Sequence, residues 1–217
     1  MAETSHENVK ESFTIPPYPE DLDSEEAERV SDDELQRIRA SLSNKAHHHV
    51  SPVAESPNMF VKWHETQETV YVRSGAFEFG QEMNVGNTIV HCYLNGYSSS
   101  YRSSKNDNTS FNLYTGSGSI CLHISFRRHV QQIIFNEYTN GRWGRETYID
   151  FPDCIKNESS VDMAVYYQGD GMSIVDFNTE GWRVSHGGAA DSLTYRANNS
   201  DDAMFGNSLT AQFSWRS

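Results

Sequence analysis

The sequence predicts an all-β protein: an antiparallel β-sandwich preceded by an acidic, largely disordered N-terminal tail that carries one short helix. Three observations carry this. From Met59 onward the chain runs in short stretches rich in Val, Tyr, Phe and Thr, and turn residues part them at fairly regular intervals. Helical periodicity does not intervene between them, which separates a sandwich from an alternating α/β chain. Charge is also unevenly spread, with 12 acidic and 2 basic side chains in residues 1–35 against 18 and 15 in the rest, so the net −13 sits largely in the tail. At 217 residues the chain accommodates one domain with a full core plus a tail.

The tail is expected to span residues 1–57 and the domain residues 58–217. Acidic runs, few aromatics and the breaks at Pro16, Pro17 and Pro19 leave too little apolar surface to offset chain entropy, so most of the tail is expected to be mobile. Within it Ser31-Asp32-Asp33-Glu34 forms a capping box, and Leu35, Ile38 and Leu42 follow at helical spacing, which predicts a helix over about 32–42. Its narrow apolar stripe either docks on the domain, mediates self-association or stays transient. His47-His48-His49 supplies adjacent imidazoles, but neighbours in a flexible linker make a poor closed coordination shell. No metal and no cofactor are expected.

Strands are expected at 60–63, 69–72, 88–94, 110–114, 119–126, 130–136, 146–151, 162–168, 172–177, 192–195 and 209–215. Polar loops fall at 95–109 and 152–160, and Gly169-Asp170-Gly171 and Asn140-Gly141 make hairpin turns. Trp182 and Trp215 read as packing residues. Cys92, Cys121 and Cys154 are odd in number and widely spaced, so they read as reduced thiols rather than a disulfide framework.

The chemistry concentrates between residues 122 and 148. Strand alternation puts His123, Ser125 and Arg127 on one face and Leu122, Ile124 and Phe126 on the other. The next run turns Ile133 and Phe135 to the core and Asn136 outward. After the Asn140-Gly141 turn come Trp143 and then Glu146, Tyr148 and Asp150 on one face. Side by side, these strands make a shallow polar strip with an indole at its edge. Guanidinium, carboxylate and carboxamide forks match sugar hydroxyls, which both donate and accept, and an aromatic ring lies against the apolar face of a pyranose.

His123-x-Ser125-x-Arg127, then Asn136, then Trp143-Gly144-x-Glu146 resembles the sugar-binding signature of the galectins, and the wording Leu-His-Ile-x-Phe-Arg is similar to the fungal fruiting-body members. The resemblance, covering roughly residues 72–217, implies a galectin- or concanavalin-like jelly roll that binds β-galactosides such as lactose and N-acetyllactosamine. It implies that His123 and Arg127 hold the axial hydroxyl of galactose, Asn136 and Glu146 the exocyclic hydroxyl, and Trp143 the apolar face, with Glu146 orienting Arg127. Two positions depart from the pattern: Ser125 replaces an asparagine, and Tyr148 stands where a second arginine occurs. Arg145 lies nearby, but alternation sends it to the other face.

Two other classes compete. A glycoside hydrolase needs two carboxylates flanking the scissile bond; Glu137, Glu146, Asp150 and Asp153 form no tight cluster, and Glu146 is better explained as the partner of Arg127 than as a proton donor. Ser125 beside His123 lacks a nucleophile elbow. No enzyme is expected. The alternative is a sandwich used as a protein interaction module, with sugar specificity altered or lost through Ser125 and Tyr148. A shallow single-sugar site binds weakly, so a homo-oligomer with several sites is expected. The acidic balance without a Lys/Arg cluster excludes nucleic acid as the main partner, and no apolar run is long enough to insert in a membrane. Residues 1–10 carry no apolar signal core, so cytosolic synthesis is expected, with non-classical secretion open.

Overall fold

The computed structural model describes residues 16–19, 22–43, 61–63, 67–73, 75–78, 89–95, 109–157, 160–196 and 208–214. Among the described residues sixteen strands and two helices follow one another: β1 (Ser24–Glu26), β2 (Glu28–Arg29), α1 (Asp32–Ser43), β3 (Val61–Trp63), β4 (Gln67–Arg73), β5 (Gly75–Glu78), β6 (Ile89–Asn95), β7 (Thr109–Tyr114) and β8 (Ile120–Arg127) come first. Then come β9 (Gln132–Thr139), β10 (Arg142–Trp143), β11 (Glu146–Asp150), α2 (Asp153–Asn157), β12 (Ser160–Gly169), β13 (Met172–Phe177), β14 (Glu180–Ser185), β15 (Ser192–Arg196) and β16 (Ser208–Ser214).

They form the two sheets of a sandwich. One runs β1-β11-β9-β8-β7-β15-β5, with β10 attached to β9; the other runs β2-β14-β13-β12-β6-β16-β4-β3. The expected closing strand is present, and β16 pairs with β4. Between the layers Phe111, Leu122, Ile124, Phe126, Ile133 and Phe135 meet Val165, Val175, Phe177 and Trp182 in one apolar core. Phe126 contacts Phe177 edge-on across it, with ring centres 6.0 Å apart. These are the alternate residues of each strand; the intervening residues face away from the core.

The turns behave as their residues require. Asn140 and Gly141 hold φ of 54° and 77°, and Gly169, Asp170 and Gly171 hold 80°, 51° and 74°, the positive region that these residue types tolerate. Cys121 and Cys154 are buried and not in a disulfide, their thiols donating to the carbonyls of Leu113 and Phe177. Trp182 packs in the core, as expected. His47-His48-His49, Trp215 and the centre of the 95–109 loop lie outside the described residues.

Six of the described elements were not expected from the sequence: the short strands β5 and β10, and α2, β14, β1 and β2. The loop expected at 152–160 contains a one-turn helix, α2, begun at Pro152–Asp153 where a proline suits a helix start. Strand β14 was hidden by Gly181, a weak strand former; a β-carbon there would meet Leu35 Cδ1 at 3.1 Å, so the glycine lets α1 sit close to the sheet. Strands β1 and β2 are three and two exposed residues long and carry no apolar pattern at all.

Those two strands belong to the acidic N-terminal stretch, half of which lies on the sandwich. Strand β1 runs parallel to β11, pairing Ser24 with Glu146 and Glu26 with Tyr148. Strand β2 pairs with β14, so a chain separated only by Ala27 edges both sheets. Helix α1 starts where the capping residue predicts, with the Glu34 amide donating to Ser31 Oγ at 3.3 Å. It docks on the outer face of the second sheet, where Leu35 and Ile38 pack against Ala164, Tyr166 and Ile174. Acidic composition gave no hint of this, because ion pairs carry much of the docking. Arg39 grips the buried Asp176, Nε to Oδ2 at 2.8 Å, and Arg183 Nη2 bonds Glu34 at 2.6 Å.

Candidate carbohydrate site

The register of β7, β8 and β9 builds the site. Asn112 stands opposite His123, and His123 opposite Asn136, so all three share the face turned away from the core. Strand β11 brings Glu146 alongside, and the short β10 places Trp143 at the end of the row. Arg127 closes the patch by a two-pronged ion pair with Glu146, Nη1 to Oε1 at 3.1 Å and Nη2 to Oε2 at 3.3 Å. The fork geometry fixes the guanidinium plane, as an orienting carboxylate should. Arg145 does go to the other side, pairing with Glu25 at 2.7 Å.

Each polar group is held in a defined state. Asn136 Oδ1 accepts from the Glu137 amide at 2.8 Å, so its Nδ2 faces the patch as a donor. Asn112 Nδ2 donates to Thr194 Oγ1 at 3.2 Å, which turns Asn112 Oδ1 to His123 Nδ1 at 2.5 Å. A carboxamide oxygen only accepts, so Nδ1 carries the proton; in the neutral tautomer that this selects, Nε2 is an acceptor. Asn112 and Thr194 were missed in the sequence because neither belongs to the motif; their signal was strand alternation in β7 and β15 opposite a polar histidine.

His123, Arg127, Asn136, Trp143 and Glu146 therefore converge on one patch. Ser125 lies between His123 and Arg127 on the same face, with a short side chain that leaves the middle of β8 without an amide fork. Tyr148 follows Glu146 along β11 on that face, half-buried beside β1.

The open hollow expected from the sequence is filled. Tyr18 of the N-terminal stretch occupies it, its ring centre 4.5 Å from that of Trp143 and 5.4 Å from that of His123. The Arg127 guanidinium carbon lies 5.1 Å from the Tyr18 ring centre. Asn136 Nδ2 donates to the phenol oxygen at 2.7 Å, and the phenol donates to Glu146 Oε2 at 3.0 Å. The Trp143 indole N–H donates to the carbonyl of Pro17 at 3.0 Å. Burial, foremost, pushes the Tyr18 phenol above its ordinary range; the Asn136 donor pulls the other way and Glu146 pushes it further up, so the ring enters as a neutral donor. Under this cover Asn136 is 2% exposed, Glu146 7% and Trp143 9%.

Comparisons with known proteins bear on the same region. Residues 68–178 match the family model of the galactoside-binding lectins, a span that contains every motif residue and excludes Tyr18. No curated protein matches the chain. Similar solved structures include a variant of human galectin-16, at 13% identity over 63% of this chain and 94% of that one with a TM-score of 0.48. The galectin LEC-6 of Caenorhabditis elegans is similar at 12% identity over 73% and 95%, with a TM-score of 0.46. Chicken galectin 2 is similar at 15% identity over 67% and 97%, with a TM-score of 0.43. By the family match over half its length, carried on a two-sheet sandwich, the chain belongs to the galactoside-binding lectins, the galectins.

Proposed function

We propose that this galectin binds β-galactosides of the lactose and N-acetyllactosamine type, without catalysis, through His123, Arg127, Asn136, Trp143 and Glu146. The observation that supports this most is that the Arg127–Glu146 fork and the Asn136 donor meet on one phenol oxygen, that of Tyr18, whose ring lies against the Trp143 indole. In this reading the fork and the His123 acceptor take the axial hydroxyl, Asn136 and Glu146 take the exocyclic one, and the indole takes the apolar sugar face. Ser125 and Tyr148 shape what is tolerated beyond galactose. Such a site offers a few hydrogen bonds and one stacked ring, so a single disaccharide is held with a dissociation constant in roughly the micromolar to millimolar range. Useful avidity then comes from a homo-oligomer presenting several sites.

Calorimetric titration of the full chain with lactose tests the reading. Trp143→Ala and Arg127→Ala are each expected to weaken binding by about tenfold or more while far-ultraviolet circular dichroism stays unchanged. Absence of binding to any glycan on a broad array, by folded protein with Tyr18 removed, overturns it. Sedimentation as a strict monomer with no agglutination removes the multivalent part.

A further inference from the structure

The group in the sugar site is not a generic side chain against a surface. The Tyr18 oxygen simultaneously accepts from Asn136 and donates to Glu146, at 2.7 and 3.0 Å, which is the dual behaviour of an alcohol. Its ring lies tilted by 52° against Trp143 and beneath the Arg127 guanidinium, so an apolar ring occupies the place beside the indole. The Pro17 carbonyl takes up the Trp143 indole N–H. The flanking prolines limit the backbone freedom of the segment before it docks.

Downstream, the same stretch is fixed by backbone bonds to β11 and by α1, not by the cup's side chains. The Glu146 amide donates to the Asp23 carbonyl at 3.2 Å, and the Ala27 amide to the Tyr148 carbonyl at 2.8 Å. Helix α1 anchors the chain to the opposite sheet. Tyr18 thus sits six residues upstream of a strand paired to β11, the very strand that carries Glu146, and short tethers of this kind hold a ligand at about millimolar effective concentration. A weak sugar site therefore faces a competitor tethered beside it.

We propose that the patch is also a peptide site for a proline-flanked tyrosine, that the chain's own Pro16–Pro19 segment is its resident ligand, and that glycans enter only by displacing it. The glycan half rests on the reading given under Proposed function; the peptide half does not. A site available only when the segment withdraws has an apparent affinity lowered by the fraction of withdrawn chains.

The test uses the full chain as wild type, Tyr18→Phe and Tyr18→Ala, with lactose titrated by calorimetry. A fluorescent synthetic peptide of residues 14–22 is read by anisotropy against Tyr18→Ala, and exchange of the Trp143 indole N–H is followed by NMR. Tyr18→Ala is expected to bind lactose about tenfold more tightly than wild type. Tyr18→Phe, which keeps the ring but loses both hydrogen bonds, is expected to fall between. The peptide is expected to bind Tyr18→Ala, to be displaced by lactose, and to be lost on adding Trp143→Ala. The indole N–H is expected to exchange faster in Tyr18→Ala than in wild type. Equal lactose affinity in all three proteins, with equal indole exchange, overturns the proposal and leaves the galactoside reading intact. Peptide binding with protected indole, but no lactose binding by any of the three, supports the peptide site and overturns the galactoside reading instead.

Discussion

Replacing Arg39 with alanine leaves Asp176 buried without its counter-charge, and the cost follows from the geometry. The Asp176 side chain is 3% exposed, while that of Arg39 is 34% exposed. Arg39 supplies Nε at 2.8 Å to one carboxylate oxygen, Nη2 at 2.5 Å to the other, and a further bond from Nη2 to the Asn178 carbonyl at 2.5 Å. After truncation Asp176 keeps the Tyr166 hydroxyl at 3.1 Å. Breaking a fully buried pair costs about 3–5 kcal/mol, and the half-open arginine lets water replace part of the loss, so about 2 kcal/mol is expected here. The loss is capped by the free energy of docking α1, since the helix can lift and hydrate the carboxylate. Burial raises the Asp176 carboxyl pKa above its ordinary value, with Arg39 opposing. An aspartate raised in the fold is favoured when protonated, and its contribution fades as pH climbs above the unfolded value of about 3.9. Losing Arg39 exaggerates this, so the deficit of Arg39→Ala is expected to be larger at pH 7 than at pH 4. Urea unfolding of wild type, Arg39→Ala, Asp176→Asn and the double variant measures it. The double variant is expected to be less destabilised than the sum of the two, by about 1–2 kcal/mol. Arg39→Ala within about 0.5 kcal/mol of wild type at pH 7, or strict additivity, refutes the argument.

Two further outcomes follow. His186 is buried with Nδ1 bonded to Ser173 and its ring 4.8 Å from that of Tyr167, and burial lowers its pKa to about 4. A histidine depressed in the fold contributes stability above its unfolded value of about 6.5 and loses it as pH falls to 4. That amounts to about 3 kcal/mol, and the difference in urea stability between wild type and His186→Gln should narrow over that window; parallel curves refute it. In the site, Asn112→Ala removes the acceptor that fixes the His123 tautomer, so in a Tyr18→Ala background lactose is expected to bind about tenfold more weakly. Nitrogen NMR should show the His123 proton on Nδ1 before the change and redistributed after it; an unaltered tautomer refutes the assignment.

Much of the site was legible because a strand repeats every two residues. Once His123 and Arg127 share a face, pairing with a neighbour carrying Asn136 and a hairpin at Asn140-Gly141 leaves little freedom for Trp143 and Glu146. The sandwich was legible for the same reason, except where Gly181 interrupts β14 to admit Leu35. What alternation does not carry is the docking of a distant segment. Tyr18 lies 118 residues from Asn136, in a stretch with no periodicity and an acidic composition that points to disorder. The one available cue was an aromatic set among prolines: Phe13 and Tyr18 are the only Phe, Tyr or Trp in residues 1–57.

The single residue between β1 and β2 has a mechanical meaning. Ala27 is buried in the seam where the two sheets meet, and its neighbours on either side hydrogen-bond to different layers. The chain there works as a zip fastener along one rim. If it is pulled away, β11 and β14 each present a row of unpaired backbone groups, the kind of border to which another molecule's strand adheres. Detachment extending that far would couple uncovering of the cup to a new tendency of the particles to join border to border.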